Sequence, residues 1–183
     1  MNDFSIGAAG TGDMRLFREW ADDEQWNPGD SDVLAFHAAD PEGFLLGRLD
    51  GEPVASVSAV RYGPDHGFLG FYIARPPVRG KGYGIRMWRA AMERLEGRTV
   101  GLDGVVDQQD NYRASGFRAA YRNVRHHGAV PEGGRPDGIA LVDARTVPFD
   151  VLAAYDRRFF PARRDAFLSL WLGLPRHTSL AAV

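Results

Sequence analysis

Residues 67–95 read GFLGFYIARPPVRGKGYGIRMWRAAMERL, and this stretch decides the fold. Phe68, Leu69, Phe71, Tyr72 and Ile73 form an aromatic and β-branched run of strand character, which Pro76 and Pro77 bring to a stop. The glycines of Arg79-Gly80-Lys81-Gly82-Tyr83-Gly84 then permit positive φ and a close backbone approach to a ligand. Beyond them Ile85, Trp88, Met92 and Leu95 recur at helical spacing, with Arg86, Arg89, Glu93, Arg94 and Glu96 on other faces. The pattern predicts strand, glycine turn, helix.

A helix N-terminus presents unpaired N–H groups and the positive end of its dipole, and Arg79 and Lys81 add two cations beside it. Such a turn suits a phosphate, although a plain surface reversal would also explain its glycines. Two familiar phosphate sites are excluded by spelling. A P-loop requires Gly-Lys followed by Ser or Thr, whereas Gly80-Lys81 is followed by Gly82 and Tyr83. The dinucleotide fingerprint requires a third glycine at position 85, which is Ile85.

Arg79, Gly82 and Gly84, behind a strand and ahead of a helix, match in order a signature of Gln or Arg, two residues, Gly, one residue, Gly or Ala. Downstream, Val100 to Asp103 reads as a short strand, and Tyr112-Arg113-Ala114-Ser115-Gly116-Phe117 supplies a Tyr, three residues, Gly-Phe block. With both motifs in order, the chain resembles the GNAT superfamily of N-acetyltransferases over roughly residues 1 to 145. The resemblance implies an α/β protein of the α+β type, a mixed and mostly antiparallel sheet flanked by helices, with splayed central strands that admit the pantetheine arm of acetyl-CoA. It implies acetyl-CoA as cosubstrate at Arg79, Gly80, Lys81, Gly82, Tyr83 and Gly84, with Phe71, Tyr72 and Ile73 along the splayed strand. An unpaired backbone N–H near Tyr72 or Ile73 would polarise the thioester carbonyl.

Transfer to an amine requires loss of a proton from an ammonium, a donor for the tetrahedral oxyanion and a proton for the departing thiolate. Tyr112, at the matching family position, is the expected general acid, since a phenol with an ordinary pKa near 10 stays protonated at neutral pH. Members of the family often carry a Glu early on the central strand, but Gly67-Phe68-Leu69-Gly70 has no carboxylate. His66 or Asp103, the latter through water, are the candidate bases. The family's Asn ahead of the Tyr is missing from its usual place, and Asn111, adjacent to Tyr112, stands as the pantetheine contact instead. The expected activity is acetyl transfer to a primary amine of a small molecule by direct attack. The alternative is a non-catalytic acyl-CoA-binding or regulatory module that kept the turn and lost the base.

Composition agrees with one ordinary domain plus an appendage: 183 residues, 44% hydrophobic and 25% charged. A formal charge of -2 and a pI near 6.2 argue against a nucleic-acid surface, which needs clustered cations. The absence of Cys rules out disulfides, thiolate metal sites and a cysteine nucleophile, and it suits a reducing compartment. No signal core and no apolar run near the roughly 20 residues of a membrane span are visible, so a cytoplasmic protein without membrane contact is expected.

Along the rest of the chain, Met14, Leu16, Phe17, Trp20 and Ala21 form one helical stripe within residues 13–24, with Thr11 or Asp13 as cap. Asn27-Pro28-Gly29 forces a turn, and Ser31 or Asp32 can start a second helix through about Ala39. In the resembled family this helix–loop–helix borders the acceptor pocket, so Glu24 and Trp26 are candidates to attract and cover an amine cation; Trp26 as a packing plug is the alternative. Residues 43–49 and 54–62 alternate as strands about Asp50-Gly51-Glu52-Pro53. Asp110 can cap a brief helix, Phe117 to Arg125 reads as a strand, and Ile139 to Val142 as a last one. The adjacent His126 and His127 point to different sides of any regular element and lack partners at metal spacing, so no metal site is expected. Residues 146–183 suggest two helices split at Pro161, too apolar to sit free in water; they must pack on the domain or on a partner, a homodimer being one arrangement. This tail and Glu24-Gln25-Trp26-Asn27-Pro28-Gly29 are similar to a two-lobed GNAT subgroup, of which the tail would begin an incomplete second lobe.

Overall fold

The alternation of apolar and polar residues after position 43 builds the centre of the molecule. Phe44–Leu49 (β2) and Glu52–Tyr62 (β3) pair antiparallel across a turn in which Asp50 (φ 51°) and Gly51 (φ 90°) are left-handed. His66–Ala74 (β4) returns antiparallel to β3. Thr99–Leu102 (β5) then runs parallel to β4, which demands a crossover, and Tyr83–Arg94 (α3) supplies it. Phe4–Ala8 (β1) closes the other edge beside β2, giving a five-stranded sheet in the order β1-β2-β3-β4-β5. The computed structural model describes residues 3–124, 126, 128–129, 133, 138–175 and 177–183. The expected mixed, mostly antiparallel sheet flanked by helices is present.

Each face of the sheet buries its own helical stripe. On one face Met14, Phe17, Trp20 and Ala21 of Met14–Asp23 (α1) pack with Val33 of Asp32–Ala39 (α2) against Phe44, Leu46, Val60, Tyr62 and Ile73. On the other, Val57, Ala59 and Leu69 meet Met87, Trp88, Ala91 and Leu95 of α3 and its C-cap. Gly47 is what lets α3 come so close, since a Cβ there would stand 2.5 Å from the Phe4 ring and 2.7 Å from the Met87 sulfur. The stripe expected from Ile85 is displaced: α3 starts at Tyr83, and Ile85 is 48% exposed. Met87 takes the place that Ile85 was expected to fill.

Three other expectations change. Residues 117–124 form no strand, because Phe117 turns under Trp88 and Tyr112 (ring centroids 5.7 and 6.5 Å) while Ala119 and Tyr121 are exposed; Arg125 lies outside the described residues. Gln109–Ala114 (α4) has Gln108 as its cap residue, and Asp110 instead bonds Arg113 at 2.6 Å. The last expected strand is Leu141–Asp143 (β6), and it joins Leu180–Ala182 (β7) in a separate two-stranded sheet. The β1 strand had no counterpart in the sequence reading.

In the tail, Phe149–Asp156 (α5) leaves Phe149 and Tyr155 exposed, whereas Asp165–Gly173 (α6) docks on α2. Phe167 is buried 5.0 Å from Phe36, and Phe160, between the helices, sits edge-on to Tyr62 at 4.9 Å. Burial of the aromatics is therefore partial. No helix among the described residues is long and apolar enough to cross a membrane.

Phe44 is fully buried and touches both Phe17 (5.0 Å) and Phe71 (6.2 Å), joining α1 to β4. Phe44→Ala is expected to cost about 3–5 kcal/mol in urea unfolding; a loss below about 1 kcal/mol would contradict this packing.

Candidate functional site

The site begins where two strands part. The pairing of β4 with β5 runs from His66↔Thr99 only to Leu69↔Leu102, and β4 continues to Ala74 with β3 alone beside it. On that β3 side the register jumps from Ser58↔Gly70 to Ser56↔Ile73, so Phe71 and Tyr72 together oppose Val57. Phe71 adopts φ 45°, an uncommon conformation for an aromatic residue, and the buried Ser56 hydroxyl donates to its carbonyl at 2.8 Å. The bulge thus leaves backbone groups of residues 70–74 on the β5 side without a strand partner, at the place expected for the splay.

The glycine turn follows this opening. A 3-10 turn at Pro76–Val78 leads into Arg79, after which Gly80 (φ 74°) and Gly82 (φ 83°) are left-handed and Gly82 caps α3. The amides of Gly80, Gly82, Tyr83, Gly84 and Ile85 make no backbone hydrogen bond among the described residues, as expected at a helix start. A Cβ added at Gly80 or Gly82 would meet nothing within 4 Å, so the hollow in front of the turn is open. Gly84 packs closely instead, its added Cβ 3.1 Å from the Tyr72 hydroxyl. The Tyr83 side chain turns to Phe4 (4.6 Å), leaving only its amide at the turn. Lys81 does not line the hollow.

A cleft of about 640 Å³ connects these parts. Phe71, Tyr72 and Ile73 line it along the parted strand, Arg79, Gly80, Gly82 and Gly84 at the turn, and Asp103 and Tyr112 at the far wall. Trp88 props that wall, with Tyr72 at 5.6 Å on one side and Tyr112 at 5.8 Å on the other. Burial raises the pKa of Tyr112; burial, then the nearby Tyr112, raises that of Tyr72, so both remain phenols at neutral pH. Gly104 admits the Tyr112 ring, since a Cβ there would lie 2.5 Å from it. Neither Trp88 nor Gly104 was expected at the site; Trp88 reads as an ordinary core position, and the glycine's role depends on a ring eight positions later.

The loop after α1 forms the rim. Gln25 (φ 61°) and Asn27 (φ 52°) are left-handed, and the Trp26 amide bonds back to Ala21 at 2.9 Å. Trp26 lines the cleft and also packs on the α1 core. Glu24 lines the cleft too, but its carboxylate accepts from Arg79, while Asp23 accepts from Arg75 and Arg79 Nε donates to the Ala74 carbonyl at 2.8 Å. Glu24 therefore meets a guanidinium of the turn.

Asn111 and His66 also stand apart from the cleft. Asn111 bonds Gln108 at 2.7 Å and does not line it. His66 sits at the other end of β4, in a second hollow beside Phe160, and burial lowers its pKa. Asp103 lines both hollows and accepts from Asn123 at 3.0 Å. Of the histidine pair, His127 lies outside the described residues.

A model of the acetyltransferase (GNAT) family matches residues 13–121. The chain belongs to that family. Within it, this GNAT chain is 37% identical over 170 residues to a holothin acyltransferase of Pseudoalteromonas sp., an alignment covering 90% of this chain and 56% of that protein. It is 32% identical over 175 residues to an uncharacterized protein of Caenorhabditis elegans, covering 87% and 56% respectively. The GNAT chain thus spans about half the length of the curated relatives it matches. A crystal structure of a candidate acetyltransferase from Pyrococcus horikoshii shares its fold, with a TM-score of 0.80 at 20% identity over 98% of this chain and 65% of that one.

Gly104→Ala must displace the Tyr112 ring or the strand end beneath it. The expected result is a loss of about 1–3 kcal/mol in stability together with an altered near-ultraviolet circular dichroism of the aromatic stack. An unchanged spectrum would mean the ring is not held as described.

Proposed function

We propose that the protein is an N-acetyltransferase that moves an acetyl group from acetyl-CoA to a primary amine of a small molecule by direct attack. The observation that carries this reading is that the open glycine turn, the parted strand and Tyr112 line one cleft. The 37% identity to a holothin acyltransferase supports acyl transfer as the reaction class.

The residues present suit the coenzyme. Unpaired amides at Gly80, Gly82, Tyr83 and Gly84, at the positive end of α3, would hold the diphosphate, with Arg79 beside them. The unpartnered edge of β4 near Phe71, Tyr72 and Ile73 would run along the pantetheine arm and direct an N–H at the thioester oxygen. Tyr112 would give its proton to the departing sulfur, which its raised pKa permits across neutral pH. The non-catalytic alternative rests on the missing carboxylate of β4; the presence of Tyr112 on the cleft wall favours the enzyme.

Gly82→Glu puts a carboxylate into the open space before the turn, at a left-handed position. Calorimetric affinity for acetyl-CoA is expected to fall by more than about tenfold, and an unchanged Kd would defeat the assignment. Tyr112→Phe is expected to keep that affinity while transfer falls by about a hundredfold; undiminished turnover would remove the acid role.

A further inference from the structure

The second hollow, of about 410 Å³, adjoins the first and shares Leu102, Asp103 and Tyr112 with it. Its walls are rings: Phe68 from β4, Phe117 and Tyr121 from the segment after α4, Phe159 and Phe160 from between α5 and α6. Cations surround those rings. Arg158 lies 5.8 Å from the Phe159 ring centre and Arg164, paired with Asp156 at 2.7 Å, lies 4.1 Å from that of Phe160. Arg113, paired with Asp110, and Arg118, which meets no carboxylate among the described residues, line the hollow itself.

An alkylammonium acceptor would find little here. It would approach the guanidinium groups of Arg113 and Arg118, and it must lose a proton to a base before it can attack. Among the described residues that line the second hollow, Asp103 is the one carboxylate, it accepts from Asn123, and it stands among Arg113 and Arg118; Glu24, paired with Arg79, and Asp107 belong to the first hollow, and none stands on the first residues of β4. An amine on an aromatic ring differs in both respects. Its lone pair is delocalised, so it is unprotonated at neutral pH, and its flat face stacks on ring walls.

Resting on the acetyl-transfer reading of the cleft, we infer that the acceptor is a flat, weakly basic aryl amine with an anionic substituent, seated among these rings with its anion at Arg118. The nitrogen attacks the thioester carbonyl carbon, a C–N bond forms and the C–S bond breaks. The sulfur takes the Tyr112 proton, and the nitrogen's surplus proton passes through solvent to the Tyr112 oxygen. The products are the aryl acetamide and CoA thiol.

The test uses the intact protein with acetyl-CoA and two probes that differ by one methylene, 4-aminobenzoate and 4-(aminomethyl)benzoate. Acetyl-CoA affinity is measured separately by calorimetry, CoA thiol release reports transfer, and calorimetry with CoA present reports probe binding. The aryl amine is expected to be preferred by about tenfold or more in kcat/KM, with Arg118→Gln and the exposed Tyr121→Ala each raising its KM several-fold at unchanged acetyl-CoA affinity, and Arg118→Lys restoring part of the loss. With acetyl-CoA bound, preference for the alkylamine, binding of neither probe, or indifference to both substitutions overturns this inference alone. Failure of the unsubstituted protein to bind acetyl-CoA overturns it together with the coenzyme reading.

Discussion

The structure turns on the point at which β4 loses β5. A parallel strand pair holds its two backbones in register only while both are extended alike, and the extra residue opposite Val57 ends that condition. The cost is concentrated in Phe71, held at positive φ with its carbonyl on the buried Ser56 hydroxyl, and the surrounding core keeps it there. Phe71 lies 6.0 Å from Phe17 and 6.2 Å from Phe44, so the strained residue is wedged by the helix layer that forms the first core. Had the ladder continued, the amides after Gly70 would be paired and there would be no cleft.

The two faces of the sheet divide the work of the site. The α3 face supplies the glycine turn and, through Trp88, a row of rings from Tyr72 to Tyr112. The α1–α2 face supplies the rim, tied down where Asp23 and Glu24 meet Arg75 and Arg79 on either side of the Pro76–Val78 turn. Both pairs are partly exposed, so their contribution to stability is small; their effect is positional. They hold the rim to the turn, so that neither can shift without the other.

Local chemistry made some of this legible in the chain and tertiary contact hid the rest. The turn from Arg79 to Gly84 was readable because glycines at alternate positions have a direct backbone meaning. The hairpin at Asp50-Gly51 was readable for the same reason. By contrast, Phe4–Ala8 is short and carries Gly7, and it becomes a strand only because β2 offers an edge. Residues 117–124 alternate as a strand would, yet Phe117 is drawn to Trp88 and no ladder forms. Ile85 sits at helical spacing with Trp88 but lines the cleft and is exposed, while Met87 is the residue buried with Trp88 against the sheet. Glu24 was read for its charge alone, and its partner is a residue 55 positions away.

The bare backbone at Gly47 has a bearing on the turn that its distance in sequence conceals. Met87 belongs to the second turn of α3, so this close approach lies near the beginning of the helix. A methyl group at position 47 would have to push aside the edge of the Phe4 ring and the Met87 sulfur, unseating the contact on which that end of the rod rests. The gap left by one absent side chain on β2 is thus felt, through a single sulfur atom, by the helix that the glycine turn begins.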